Sequence, residues 1–211
     1  MRKLALLLLL AALAGCSSEP KKTEEGAKPA ATPAKQVKAP EFQTGRTAFY
    51  EMYRTARTWA PDVKPFRVQS SPTKESSGAD GKAEVWRAWF ASATKREVKP
   101  YTWSGGTGDD LPERGVSFGP VDTFNPSNAS TQTFDANFLK TDSDQAYKAA
   151  QEKGGDALLK KSPGTPIIYT LDWDGKSNEL IWHVSYGESP LIYKLKIAVD
   201  AATGGFLRKE K

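Results

Sequence analysis

The first strong hydrophobic pattern along the chain has the spacing of an α-helix. Its apolar residues recur three or four positions apart and share one stripe: Phe49, Met52, Tyr53, Ala56 and Trp59. Thr47 is the candidate N-cap, because its hydroxyl can accept a hydrogen bond from a free N–H of the first turn. Pro61 cannot continue a helix, so we expect the helix to end at Ala60.

Alternation with a period of two follows this helix and predicts β-strands. The predicted strands cover residues 66–69, 84–91 and 98–103. In the second of them, Trp86 and Phe90 share one face and Trp89 lies on the other. Pro100 in the third strand indicates an edge position, because proline has no N–H to donate to a neighbouring strand.

The last third of the chain repeats the order of one helix followed by strands. Residues 142–145 read Asp-Ser-Asp-Gln, which resembles a capping box at a helix start, and Gly154-Gly155 marks the expected helix end. Four alternating segments follow, at residues 167–173, 180–186, 191–199 and 206–207.

The two halves can be aligned on a shared pattern. Asp80-Gly81-Lys82 precedes Trp86 as Asp174-Gly175-Lys176 precedes Trp182. We therefore predict an α+β fold of two tandem modules, each with a helix packed on an antiparallel sheet. The modules span residues 44–125 and 142–211, with a connector at 126–141. The pattern leaves open whether they share one sheet, and whether the Gly- and Ser-rich residues 104–140 cover a sheet edge or join the halves.

The N-terminus has the organisation of an export signal. A basic pair, Arg2-Lys3, precedes ten apolar residues, about half the ~20 needed to span a bilayer as a helix. The next residues, Leu13, Ala14, Gly15 and Cys16, resemble the bacterial lipobox. This resemblance implies that residues 1–15 are a signal peptide removed before Cys16, and that Cys16 carries acyl chains that anchor the protein in a membrane.

Residues 16–43 are expected to form a disordered linker behind the lipidated cysteine. They are rich in Lys, Ala, Pro, Thr and Glu and show no apolar period that could be buried. Such a chain has a root-mean-square reach of about 30 Å. Ser17 rather than Asp follows the cysteine, which by analogy with Gram-negative lipoproteins favours the outer membrane, facing the periplasm.

The C-terminal module carries a second family resemblance. Residues 143–154 supply a helix, Trp182-His183-Val184 a W-x-V strand, and residues 199–204 a V-D-A-x-T-G turn. On these features, residues 142–209 resemble a PepSY domain, and the N-terminal module is similar in its helix and Trp strand but lacks that ending. The resemblance implies a cystatin-like helix on an antiparallel sheet.

The same resemblance also bears on function. Members of this family occur as pro-regions that bind and inhibit secreted peptidases, and as free-standing proteins of the cell envelope. We expect no peptidase domain after residue 211, so the resemblance implies a stand-alone module that binds an envelope peptidase or another protein. The Asp200-Ala201-Ala202-Thr203-Gly204 turn is predicted to be structural, since Asp and Thr can bond nearby backbone N–H groups and Gly tolerates positive φ.

Charge and composition exclude several classes of protein. The formal net charge is +5, but residues 1–43 hold seven of the 30 basic and four of the 25 acidic residues. The remainder is nearly neutral and gives no basic surface for nucleic acid. One Cys and one His exclude a disulfide framework and a Cys/His metal cluster.

Few residues offer reactive chemistry. His183 points away from the face of Trp182, and no nucleophile or orienting carboxylate is recognisable beside it in the sequence. Asp172, Asp174, Asn178 and Glu179 surround a turn without the spacing of a calcium loop. Neither a metal nor another cofactor is therefore expected.

A binding surface is the alternative to catalysis. Trp89 and Trp103 are out of phase with the predicted core face, so together with His183 they are the candidate surface residues, although the tryptophans could instead pack against residues 104–140. The leading hypothesis is a non-catalytic binding module. A structural or assembly lipoprotein, and a hydrolase with two carboxylates about 5–10 Å apart, remain alternatives.

Overall fold

A computed structural model describes residues 38–128 and 131–211, which belong to one compact unit of α+β class. The helices are α1 (Gly45–Trp59), α2 (Ser143–Ala150) and α3 (Asp156–Lys161). The strands are β1 (Gln43–Thr44), β2 (Lys64–Ser71), β3 (Lys82–Ala83), β4 (Val85–Ser92), β5 (Glu97–Ser104), β6 (Gly115–Phe118), β7 (Asp122–Thr123), β8 (Ile167–Asp174), β9 (Glu179–Gly187), β10 (Tyr193–Asp200) and β11 (Phe206–Glu210).

Strands from both predicted modules form a single antiparallel sheet. Its order is β11-β10-β9-β8-β2-β4-β5-β6, and β7 pairs with β5 beyond the end of β6. The halves join where β2 lies antiparallel to β8, with Val68 opposite Leu171. β1 and β3 form a separate two-stranded ribbon. The two halves therefore share one sheet.

The two longer helices cover one face of this sheet. α1 packs on β2, β4 and β5, and α2 packs on β9 and β10. The core between helices and sheet contains the alternating residues of the predicted inner faces, including Phe49, Met52, Trp86, Phe90, Tyr169, Trp182, Val184, Tyr186, Ile197 and Val199. The period-two prediction of the inner face is therefore confirmed for β4 and β9.

The start of α1 differs from the prediction of Thr47 as N-cap. The helix begins three residues earlier, with Thr44 as its N-cap residue. The backbone N–H of Arg46 donates to Asp142 Oδ1 at 2.8 Å, and Thr44 Oγ1 donates to Asp142 Oδ2 at 2.7 Å. A carboxylate from the other half of the chain therefore satisfies the first turn, and no local pattern reveals such a cap.

The start of the second helix confirms the predicted capping box. Asp142 accepts from the backbone of the first turn, and the Gln145 side chain accepts from the Asp142 N–H at 3.0 Å. Its end differs from the prediction, because α2 passes through a π-helical turn and continues as α3. Gly154, at φ 123°, produces a kink instead of a stop, and Gly155 is packed directly against the Tyr186 hydroxyl.

Residues 104–140 cover a sheet edge rather than only joining the halves. β6 pairs with residues 101–104 of β5, and β7 pairs with Glu97 and Val98. Pro100 lies in the gap between these two short strands, where its carbonyl accepts from Gly119 N–H at 2.9 Å. The expectation of an edge strand was therefore wrong for β5, but its proline sits where the outer pairing is interrupted.

Candidate binding site

The sheet face opposite the helices carries two of the three predicted surface residues. Trp89 on β4 and His183 on β9 both point to this face, since the adjacent residues Phe90 and Trp182 are in the core. Trp103 does not share it. It lies directly opposite Trp86 across β4 and β5, is 2% exposed and belongs to the core under the helices. Trp103 is therefore removed from the candidate surface.

An apolar groove surrounds Trp89 on the uncovered face. It has a volume of about 630 Å³, within the range of ligand-binding clefts. We call it the Trp89 groove, and its apolar lining consists of Phe66, Trp89, Val98, Pro100, Pro120 and Val121. Val121 is 48% exposed at its rim. The sequence did not predict this groove, because residues 120–123 approach β5 only through the long connection after β6.

A β-bulge in β2 completes one wall of the groove. The register between β2 and β4 shifts between Pro65 and Arg67, so Phe66 is an extra residue in its strand. The Phe66 and Trp89 rings lie with their centroids 6.4 Å apart. The guanidinium of Arg87 lies 5.8 Å from the Trp89 ring, and Arg67 lines the groove as well. The groove thus combines aromatic surface with charges of both signs, because Asp122 also lines it and Arg67 is paired with Asp172.

A network of charged side chains occupies the neighbouring part of the same face. At its centre, His183 Nδ1 lies 2.8 Å from Glu210 Oε2, and His183 Nε2 lies 3.1 Å from Asp172 Oδ1. We call the set Arg67, Asp172, His183, Lys196, Arg208 and Glu210 the His183 cluster. Its cations contact the two carboxylates: Arg67 reaches Asp172 at 3.1 Å, and Lys196 and Arg208 reach Glu210 at 3.3 and 3.0 Å.

The cluster shifts the pKa values of its members. Burial would lower the pKa of His183, but the hydrogen bonds and charges of Asp172 and Glu210 outweigh burial and raise that pKa above its usual 6.5. Burial would raise the pKa of Glu210, yet His183 and Lys196 lower it from 4.5 to about 2. For Asp172, burial is likewise outweighed by His183 and Arg67, so its pKa is lowered. The cluster therefore favours a histidine cation between two carboxylates.

This arrangement is poorly suited to acid–base catalysis. Both ring nitrogens of His183 face carboxylate oxygens, so the protonated ring has no free lone pair with which to accept a substrate proton. A two-carboxylate hydrolase needs one carboxyl that is protonated near neutral pH. Asp172 and Glu210 instead have lowered pKa values and cationic partners.

The carboxylates of Asp172 and Asp174, near the end of β8, are bound by other groups of the protein. Asp174 Oδ1 accepts from the backbone N–H of Lys176 at 2.9 Å, and Asp174 Oδ2 accepts from Arg208 at 3.1 Å. Asp172 is held by Arg67 and His183. Within residues 38–128 and 131–211, no group of three or more His, Cys, Asp or Glu side chains is placed to hold a metal ion.

The predicted turn after β10 has the expected bonds. The backbone N–H of Ala202 donates to Asp200 Oδ1 at 2.8 Å, and Thr203 Oγ1 donates to Asp200 Oδ2 at 2.6 Å. Gly204 adopts φ 79°, which a glycine accommodates without strain. These side chains are occupied in shaping the hairpin, in agreement with a structural role.

The predicted lipidation site lies outside the described residues. This applies to Cys16 and to Leu13, Ala14 and Gly15 before it. Among the helices that the structure describes, none is long and apolar enough to cross a membrane. No protein-family model matches this chain, and no curated protein or solved structure matches it either.

Proposed function

We propose that this protein is a lipid-anchored, non-catalytic binding module of the bacterial cell envelope that holds an extended segment of a partner protein in the Trp89 groove. The observation that carries the proposal is an apolar groove, open to solvent, on the sheet face that has no helical cover. Partly exposed tryptophans in such clefts are typical centres of protein interfaces.

The surroundings of the groove indicate what the partner segment looks like. Trp89 and Phe66 offer aromatic surface to an aliphatic or aromatic side chain. Arg87 stands beside the Trp89 ring. Arg67 is paired with Asp172, and Asp122 also lines the groove, so the charges around the groove are mixed. β6 is the last strand on this side of the sheet and can accept an added strand by backbone pairing. An envelope peptidase is the partner class to which the PepSY resemblance points.

An internal duplication of the fold supports the PepSY resemblance. The indole Nε1 of Trp86 donates to Gln43 O at 2.9 Å, and that of Trp182 donates to Thr141 O at 2.9 Å. Each acceptor lies two residues before the first residue of a helix, α1 or α2. The same tryptophan-to-helix contact therefore occurs once in each half.

A backbone hydrogen bond at the end of β5 also has an equivalent at the end of β10. Gly105 N–H donates to Glu84 O at 2.9 Å, and Ala201 N–H donates to Leu180 O at 2.9 Å, with 96 residues between equivalent positions, as between Trp86 and Trp182. Residues 103–108, Trp-Ser-Gly-Gly-Thr-Gly, thereby take the place of residues 199–204, Val-Asp-Ala-Ala-Thr-Gly. We interpret residues 103–108 as a diverged form of this ending, which supports the proposal of two tandem PepSY-like modules within one sheet.

The anchor is proposed from residues 1–43. A lipidated Cys16 would hold the folded unit at the membrane on a tether with a reach of about 30 Å. Mass spectrometry of protein from its native membrane should find a mature chain that begins at an acylated Cys16. An unmodified thiol, or an intact residue 1–15 segment, would remove the anchor from the proposal without affecting the groove.

A displayed library of random peptides provides the test of the groove. Selection on the wild-type protein should enrich sequences in which apolar residues alternate. Trp89→Ala should weaken binding of these peptides by about tenfold or more, as expected for a tryptophan at the centre of an interface. Tyr50→Ala, an exposed aromatic on the helical side, is the matched control and should bind like the wild type. Equal binding by the Trp89→Ala variant would refute the groove as the binding site.

A further inference from the structure

The hairpin turn between β9 and β10 ends in an exposed apolar tip. Leu191 is 89% exposed and Ile192 is 63% exposed, and both follow Pro190 at the turn. Leu191 is the most exposed of the large apolar side chains among the described residues. Two adjacent exposed aliphatic residues differ from the single exposed apolar residues that every surface carries.

The tip is held in a fixed shape. The backbone N–H groups of Leu191 and Ile192 donate to Ser189 Oγ at 3.2 and 2.9 Å. Ser189 and Ile192 also exchange two backbone hydrogen bonds of 3.2 Å. The aliphatic pair is therefore presented by an ordered turn, so less conformational entropy is lost when it contacts another phase.

Lysines lie next to the tip in sequence and at the end of α3, which the side chain of Lys194 reaches. Lys194 follows it on β10, and its ammonium lies 3.5 Å from Ser162 Oγ at the end of α3. Lys161 precedes that serine, and Lys160 pairs with Asp156 at 2.6 Å. The other acid at the tip is Glu188. Because Lys160 is paired with Asp156, Lys161 and Lys194 are set against Glu188 alone.

We propose that the Leu191-Ile192 tip inserts into the interface of a phospholipid bilayer, with Lys161 and Lys194 at anionic headgroups. An exposed aliphatic tip with lysines nearby is complementary to the interface between bilayer and water, where acyl chains lie below charged headgroups. Tyr193, half-buried next to the tip, suits the headgroup level. The choice of a bilayer rests on the proposed anchor at Cys16, which would keep the folded unit within about 30 Å of the membrane.

The tip would add a second, weak contact to the lipid anchor. One small apolar contact binds a membrane only marginally, but a tether raises its effective concentration at the surface. With the tip in the interface, the orientation of the folded unit would be fixed relative to the membrane.

Partition of unlipidated protein onto vesicles tests the tip without the anchor. The probe is phosphatidylcholine vesicles with and without phosphatidylglycerol, and the protein is the chain from residue 16 with Cys16→Ala. The protein should bind the vesicles containing phosphatidylglycerol more strongly. Leu191→Ser combined with Ile192→Ser should lower the partition coefficient by about tenfold or more, because both aliphatic side chains are lost from the interface.

Two further variants separate the contributions. Lys161→Gln and Lys194→Gln should each lower partition onto phosphatidylglycerol vesicles by up to about fivefold and leave partition onto pure phosphatidylcholine unchanged. Tyr50→Ser, an exposed apolar site on α1, is the control and should behave as the parent chain. No binding to either vesicle, or equal binding by the double-serine variant, would overturn the proposal. Lack of acyl chains on native Cys16 would instead refute the anchor and leave this result unchanged.

Discussion

His183 connects three strands of the sheet by hydrogen bonds to two carboxylates. It lies on β9, Asp172 on β8 and Glu210 on β11, and Arg67 on β2 extends the network further. Glu210 is the last residue of β11, the strand at this edge of the sheet. The contacts of His183, Lys196 and Arg208 with Glu210 therefore fasten this edge strand to the sheet.

The cluster predicts how stability depends on pH. A raised pKa of His183 means that its contribution is complete below its usual value of 6.5 and is lost as pH rises through the higher native pKa. The lowered pKa values of Glu210 and Asp172 mean that their contributions are complete above about 4.5 and are lost as pH falls. The cluster should therefore stabilise the fold most between these two limits.

Urea unfolding at a series of pH values measures this dependence. The free energy of unfolding of the wild type should fall as pH rises above 6.5, and His183→Gln should remove most of that decrease. The charged groups that face His183 are those of the His183 cluster, together with Asp174 through Arg208. Glu188→Gln at the exposed hairpin tip is the control and should retain the wild-type profile. A wild-type profile that is flat above 6.5 would contradict the assignment of a histidine cation.

The sequence predicts which face a strand residue occupies better than it predicts that residue's partner. Alternation places Trp89 and His183 on the uncovered face, because it depends only on the geometry of a single strand. Glu210 and Asp172 meet His183 through the registers of three strand pairs, and no single strand contains that information. Trp103 was assigned to the wrong face, because its place in the core follows from the pairing of β5 with β4, where it lies opposite Trp86.

Asp142 joins the starts of α1 and α2. Its carboxylate accepts from Thr44 Oγ1 and from the N–H groups of Arg46 and Ser143. The Ser143 hydroxyl also accepts from the N–H of Gly45 at 2.7 Å and donates to Gly81 O at 2.6 Å. Two helix N-termini that are distant in sequence therefore share one set of acceptors, which stabilises both of their first turns.

Removal of this carboxylate should destabilise the fold more than the loss of an ordinary cap. An N-cap substitution costs about 1 kcal/mol, and Asp142→Ala leaves donors of two helices without an acceptor, so we expect about 2 kcal/mol. Asp144→Ala removes a neighbouring carboxylate that accepts only from the N–H of Gln145 and should cost less than half as much. Chemical denaturation of both variants measures the difference. Equal costs would show that Asp142 does not serve both helices.

Two strands that the sequence failed to predict, β6 and β7, lie between the two halves. The capping box at Asp142 and the strands after Pro166 have local signals, and the structure contains them. β6 and β7 have only four and two residues in a Gly- and Ser-rich region. They form because β5 offers them unpaired backbone groups, a tertiary cause that leaves little trace in the hydrophobic pattern.

The continuous sheet makes the folded unit a single cooperative structure. β2 and β8 are central strands that pair with each other, so separating the halves would expose the inner strand of each. Trp86 and Trp182 also meet across the join, with ring centroids 6.3 Å apart. The two predicted modules therefore share both backbone pairing and core.

Unfolding should accordingly occur in one transition. Circular dichroism and tryptophan fluorescence should give the same midpoint in urea, because secondary structure and the shared tryptophan core are lost together. Val68→Pro removes a backbone donor at the join, opposite Leu171, and should lower the stability seen by both probes. Two separate transitions in the wild type would show that the modules fold independently.

Site-specific photo-crosslinking in the native envelope measures whether a protein occupies the Trp89 groove. A photoreactive residue in place of Val121, 48% exposed at the rim, is compared with one in place of Tyr50, 40% exposed on the helical side. A discrete protein adduct should form from position 121 and should disappear when Trp89→Ala is introduced. No adduct from position 121, or the same adduct from both positions, would contradict the proposal of the Trp89 groove as the binding site.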